Sequence, residues 1–190
     1  MSVRVHLVRH GRTVYNDEER LQGWSDSALT EVGRAAAHRE ASRWASTDVV
    51  ALYSSPSPRA AATARLLFPA AEPIFDPDLR EYHFGEWEAR RAEDIVRDPD
   101  VLALGWSFES LVDGTAPALP GGESAQSFDS RVLAALTRIR SAHEFGDVVV
   151  VTHGITIASL MRQHGRPARP VENLAAVTLE FSPVRRGSTR

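Results

Sequence analysis

Three short apolar runs in this chain each stop abruptly on polar residues of one kind, and that pattern limits the folds open to it. Val3 to Val8 ends on Arg9-His10-Gly11. Val49 to Tyr53 breaks at Ser54-Ser55-Pro56-Ser57-Pro58 and leads to Arg59. Asp147-Val148-Val149-Val150-Val151-Thr152 is the clearest strand and ends on His153-Gly154. Short runs rich in branched apolar residues predict buried strands. Leu29 to Trp44, with Thr30 at the N-cap, reads as a helix, as does the Ala-rich stretch from Arg59 to Phe68 that Pro69 closes. Residues 123–143 and Ile155 to Gln163 predict two more, while Ile74-Phe75 and Ala175 to Phe181 predict further strands. Alternating strands and helices imply an α/β fold: three α/β/α layers around a largely parallel, or mixed, central sheet.

A length of 190 residues suits one domain. Residues 98–122 carry most of the Pro and Gly signals and read as an excursion over the site; the polar tail from Pro183 to Arg190 is expected to fray. The strand-like run begins at Val3, leaving no room for a signal peptide, and no apolar stretch approaches the roughly 18 residues of a membrane span. A cytoplasmic protein is the expectation, with monomer and homodimer equally open.

What the composition lacks narrows the chemistry. With no cysteine there is no disulfide, thiolate metal site or cysteine nucleophile. No lysine occurs either, so all 22 basic side chains are arginine, which excludes P-loop, Schiff-base and kinase-type chemistry. A net charge of −3 points to neither nucleic acid nor an anionic membrane.

Ligands of open α/β sheets bind beyond the carboxyl ends of the strands. There the three runs would deliver Arg9, His10, Arg59 and His153 to one crevice. Four cationic or potentially cationic groups in a partly dry pocket repel one another, and a phosphate dianion resolves the conflict because arginine matches its oxygens in bidentate fashion. The helix beginning near Gly154 would add backbone N–H groups and a positive dipole end. The same field keeps a neighbouring histidine neutral, with a lone pair free to attack phosphorus. Glu81, in Leu79-Arg80-Glu81-Tyr82-His83-Phe84-Gly85, is the candidate acid and base.

Taken together, these segments resemble the histidine phosphatase superfamily, the group of cofactor-dependent phosphoglycerate mutases and small broad-specificity phosphatases. The similar segments are Leu7 to Asn16, Leu21 to Thr30, Ser54 to Arg59 with the alanines after it, Leu79 to Glu86, Pro120 to Ser124, and Val151 to Gly154, in the family's order. The resemblance implies the phosphoglycerate mutase-like fold and phosphorylation of His10. It gives Arg9, Arg59 and His153 the phosphoryl oxygens, Asn16 a hydrogen bond near the phosphate, Gln22 a place in the pocket wall and Glu81 the proton shuttle. It also implies no metal and no organic cofactor, and a small phosphorylated substrate as the partner.

Trp24, Trp106 and Phe108 are candidate pocket walls, and His83, two positions from Glu81, is a candidate modulator of the acid. Ala89 stands where many members carry glycine, and Ile155 replaces a frequent second glycine while keeping its N–H available to an anion. The rival readings are a phosphoglycerate mutase with the same site and a non-catalytic phospho-ligand module. Glu81 and His153 are 153 − 81 = 72 positions apart, a short separation that favours a phosphatase over a mutase. The module is disfavoured because the chain keeps both nucleophile and acid.

Overall fold

The computed structural model describes residues 2–182, and the polar tail from Pro183 to Arg190 lies outside them. Strand β1 (Val3–Arg9) is followed by the one-turn helix α1 (Val14–Asp17), α2 (Glu31–Trp44), β2 (Val49–Ser54), α3 (Pro58–Leu67) and the two-residue β3 (Ile74–Phe75). The middle holds two 3-10 turns, Pro77–Leu79 and Gly85–Trp87, and the short helices α4 (Ala92–Ile95), α5 (Pro99–Leu104) and α6 (Phe108–Asp113). Then come α7 (Ala125–Ala142), β4 (Gly146–Thr152), α8 (Gly154–Gln163) and β5 (Ala176–Phe181).

The sheet runs β3-β2-β4-β1-β5. Its first four strands are parallel, and β5 returns antiparallel along β1, pairing Val3 with Phe181 and Val8 with Ala176. On one face Val5, Leu7, Val148 and Val150 meet Phe128, Val132 and Leu136 of α7 and Ile157 and Leu160 of α8. On the other, Val8, Leu52, Val149 and Val151 meet Ala60, Ala64 and Leu67 of α3. The alanines let α3 lie close to the sheet, and each fully buried Leu, Val or Phe side chain contributes about 1.5–3 kcal/mol. Helices on both faces and a mixed sheet match the expected α/β/α arrangement. Among the described residues no helix is long and apolar enough to cross a membrane.

The chain leaving β1 is pinned from outside. Thr30 caps α2, accepting the Gly33 N–H at 3.0 Å, and donates its own N–H to the Arg12 carbonyl at 2.9 Å. A Cβ on Gly33 would lie 2.2 Å from that carbonyl oxygen, so only glycine lets the first turn of α2 press against the loop after His10. Ala89 adopts φ +62°, the left-handed conformation that glycine would hold without strain. Ala89→Gly is expected to stabilise the fold by about 0.5–1 kcal/mol after allowing for glycine's extra freedom in the unfolded chain. A Tm raised by about 1–4 °C would check it.

Candidate active site

Strand register brings the catalytic candidates together. β1 and β4 are parallel neighbours with Arg9 opposite Thr152, so His10 and His153 leave the sheet side by side. The His10 N–H donates to the Thr152 carbonyl at 2.9 Å, and the two imidazoles lie edge to face with centroids 5.3 Å apart. β2 ends alongside with Ser54 opposite Val151, and the Ser55 hydroxyl comes within 2.8 Å of His153 Nε2. The Ser-Pro-Ser-Pro break turns the chain into α3, whose second residue, Arg59, is 1% exposed.

One hydrogen bond sets the tautomer of His10. Its Nδ1 lies 2.8 Å from the Gly11 carbonyl. A carbonyl only accepts, so Nδ1 carries the proton and Nε2 holds the lone pair. Gly11 is itself held, donating its N–H to the Thr63 hydroxyl, which donates to the Arg59 carbonyl. Burial first, then the Arg59 and Arg9 guanidinium groups, push His10 well below the usual histidine range; the Gly11 carbonyl opposes them. His153 is pushed the same way by burial, Arg59, His10, Arg9 and Arg131. Both rings are therefore neutral at pH 7.

Their neutrality bears on stability. The unfolded histidines, with a pKa near 6.5, take up protons that the folded ones refuse, so each group destabilises the fold as pH falls below 6.5. The slope is about 1.4 kcal/mol per pH unit for each group. The Tm of the ligand-free protein is expected to fall between pH 7 and pH 5, with a shallower fall in His10→Ala. A wild-type Tm flat across that interval would contradict the neutral, buried pair.

Three polar atoms in this cluster have no protein partner. Arg59 spends NH1 on the Ser25 carbonyl at 3.0 Å and NH2 on the Gly23 carbonyl at 2.8 Å, and Arg9 spends NH1 on Val171 at 2.6 Å. Nε of each arginine and Nδ1 of His153 are buried without a hydrogen bond. An unsatisfied buried polar group costs about 1–3 kcal/mol, so three in one place mark where a ligand supplies the acceptors. Burial lowers the Arg59 guanidinium to about 10, against the opposing charges of Glu81, Asp26 and Glu88; Arg9 is also lowered by burial. Both keep their charge at pH 7.

Asn16 and Gln22 line the same pocket of about 360 Å³, together with Arg9, His10, Arg59, Glu81 and Gly154. Asn16 Oδ1 accepts the Thr13 N–H at 3.1 Å and the Asn173 amide at 3.3 Å. Gln22 Oε1 accepts from the Thr13 hydroxyl at 3.0 Å. With the oxygens engaged, the two NH2 groups are the ends left to donate into the pocket. The Asn173 amide also donates to the His10 carbonyl at 2.9 Å, tying the loop before β5 to the backbone of His10.

Glu81 corrects one expectation. The first turn of α8 was to supply backbone N–H groups to a bound anion. Instead, Ile155 N–H donates to Glu81 Oε2 at 3.0 Å and Thr156 N–H to Oε1 at 3.1 Å. The helix dipole already has its anion, a side chain of the protein. Gly154 remains in the pocket lining. The Glu81 segment is fastened from behind, where Arg131 donates to the carbonyls of Asp78, Arg80 and Glu81 and pairs with Glu123 at 2.5 Å.

The aromatic candidates divide. Phe108 lines the pocket. Trp106 does not; it lies 3% exposed in the core behind Phe108, ring centroids 5.1 Å apart. Trp24 is outside the lining too, its indole N–H donating to the Glu81 carbonyl at 2.9 Å. His83 is stacked on Trp24 with its Nε2 3.7 Å from Glu88, away from the pocket and facing a carboxylate other than Glu81. Of the 98–122 excursion, Phe108 and Val112 of α6 reach the pocket. Sequence reasoning missed Ser55, Arg131, Val171 and Asn173. A serine following β2 within Ser-Ser-Pro-Ser-Pro is the only one that carried a signal, as a polar residue at a strand tip.

Comparison with known proteins follows the same outline. The pattern of the histidine phosphatase superfamily (branch 1) matches residues 5–185. A probable phosphoglycerate mutase GpmB of Enterobacter sp. (strain 638) is 36% identical over 162 residues, covering 84% of this chain and 73% of that protein. The solved structure of Bacillus stearothermophilus YhfR superposes with a TM-score of 0.82 at 32% identity, over 97% of this chain and 96% of that one. TTHB049 of Thermus thermophilus gives 0.76 at 33% identity, over 93% and 92%. The likeness extends from the strand that delivers His10 to the strand that returns beside it, and the chain belongs to the histidine phosphatase superfamily.

Proposed function

We propose that the chain is a phosphomonoesterase that hydrolyses a small phosphorylated metabolite through a phosphohistidine on His10. One observation carries the reading: Arg9 Nε and Arg59 Nε are unpaired donors, buried with the unpaired His153 Nδ1 around a neutral imidazole. A tetrahedral dianion would satisfy them at about 1.5–3 kcal/mol for each charge-assisted bond. His153 would donate from Nδ1 to a bound phosphoryl oxygen once the Ser55 hydroxyl turns its proton from Ser57 to His153 Nε2.

In the first half-reaction the His10 Nε2 lone pair forms the N–P bond as the bond from phosphorus to the ester oxygen breaks, and Glu81 gives that oxygen its proton. In the second, Glu81 takes a proton from water, the water oxygen bonds to phosphorus and the N–P bond breaks, returning His10 to its neutral form. Inorganic phosphate and an alcohol leave. Glu81 is arranged as an acceptor of three backbone N–H groups, those of Tyr82, Ile155 and Thr156, ready for the second step. For the first, the proton that passes to the leaving oxygen enters with the bound ester on the Glu81 carboxyl.

The same groups would serve a phosphoglycerate mutase, and the likeness to the probable phosphoglycerate mutase of Enterobacter favours that second reading. The phosphatase is preferred because the chain has only the short 72-position stretch between Glu81 and His153 with which to enclose an intermediate against water. Purified protein given 3-phosphoglycerate is expected to release phosphate faster than it forms 2-phosphoglycerate; isomerisation dominating would overturn the choice. A binding module without turnover would be overturned by any hydrolysis of an aryl phosphate that His10→Ala abolishes.

Among the described residues no cluster of His, Cys, Asp and Glu is suited to hold a metal ion. Activity is expected to survive exhaustive chelation with EDTA, and a loss reversed by added metal would overturn the metal-free mechanism. A cytoplasmic place of work belongs to the same reading.

A further inference from the structure

Resting on the phosphatase reading, we infer that the leaving group is an apolar alcohol of compact shape. The pocket that holds His10 continues into a wall built from Phe84, Phe108, Val112, Ile155, Ala158 and Val171. These come from separate parts of the chain: the loop after Glu81, helix α6, helix α8 and the segment before β5. Their convergence is a property of the fold rather than of one apolar stretch.

The polar groups of the pocket either belong to the phosphate cradle or have partners within the protein. Arg9, Arg59, Asn16 and Gln22 gather around His10, and Arg20 is tied to Glu18 at 2.6 Å and to the Ala89 carbonyl at 2.7 Å. Arg169 is exposed at the rim, where an ion contact in water contributes little. A polyol or carboxylate leaving group would thus set most of its oxygens against hydrocarbon, at the cost of unmade hydrogen bonds. The volume of about 360 Å³ lies at the small end of ligand sites, which suits a branched or ring alcohol of about six to ten carbons.

Alkyl phosphates isolate this effect, because their leaving groups are nearly equal in basicity. From n-propyl to n-hexyl phosphate, kcat/KM for phosphate release is expected to rise about fourfold per added methylene, mainly through KM. Cyclohexylmethyl phosphate should equal or exceed the hexyl ester, and glycerol 3-phosphate and 3-phosphoglycerate should fall below the propyl ester. Phe108→Ser and Val112→Asn should each flatten the series. Equal kcat/KM along the series, or a preference for the glycerol and glycerate esters, would overturn this inference while leaving the phosphatase reading standing. No release from any of these esters or from p-nitrophenyl phosphate would overturn both.

Discussion

His10→Ala is expected to slow phosphate release from every ester by about four orders of magnitude or more, the scale on which enzymes lose a nucleophile. Stability gives the variant no reason to unfold. The substitution removes one hydrogen bond to Gly11 and one buried ring that the fold must keep neutral. Its circular dichroism should match wild type, and its Tm at pH 5 should be lowered less by acid. The intermediate supplies an independent readout. Wild-type protein quenched during turnover of a labelled ester should carry phosphate in an acid-labile, base-stable bond, as phosphorus on imidazole nitrogen requires, and His10→Ala should carry none. Label persisting in the variant would place the nucleophile elsewhere; turnover without label in wild type would replace the two displacements with direct attack by water.

The residues whose loss matters most in that experiment were legible in the sequence because of a simple geometrical fact. In-register parallel strands end level, so residues after Arg9, Ser54 and Thr152 become neighbours although 45 to 143 positions separate them. The abrupt ends of apolar runs therefore report spatial proximity. Residues that depend on an antiparallel return or on depth carry no such mark. Asn173 reaches the His10 carbonyl only because β5 comes back along β1, and the loop before it has no periodicity to read. Arg131 sits on an amphipathic helix where its spacing reads as solvated, yet it turns under the Glu81 segment and binds three of its carbonyls. Trp106 and Phe108 are two positions apart and both aromatic; only packing puts the first in the core and the second in the pocket. The α8 N-terminus was recognisable as an anion site, but no local pattern announces that the anion is the carboxylate of Glu81, 74 positions earlier.

That carboxylate underlies the second large effect. Glu81→Gln keeps the length and planarity of the side chain while removing the ionisable proton, and it is expected to cost about a hundredfold to ten-thousandfold on alkyl phosphates. On p-nitrophenyl phosphate the loss should be far smaller in the first half-reaction, because a good leaving group departs without a proton. The two halves can be separated. With the aryl ester the variant should still form the phosphohistidine, releasing a burst of nitrophenol equal to the enzyme present, and then stall because nothing takes a proton from the attacking water. With an alkyl ester it should show neither burst nor turnover. The amide also bears on structure: it presents one acceptor oxygen where the carboxylate offers two to Ile155 and Thr156, so some loss of Tm is expected alongside the kinetic effect. Destabilisation lowers both substrates' first half-reactions alike, whereas loss of the acid splits them. Equal losses in the first half-reaction, read as the burst on alkyl and aryl esters, would therefore remove Glu81 from protonation of the leaving group and leave it as the side chain that closes the end of α8.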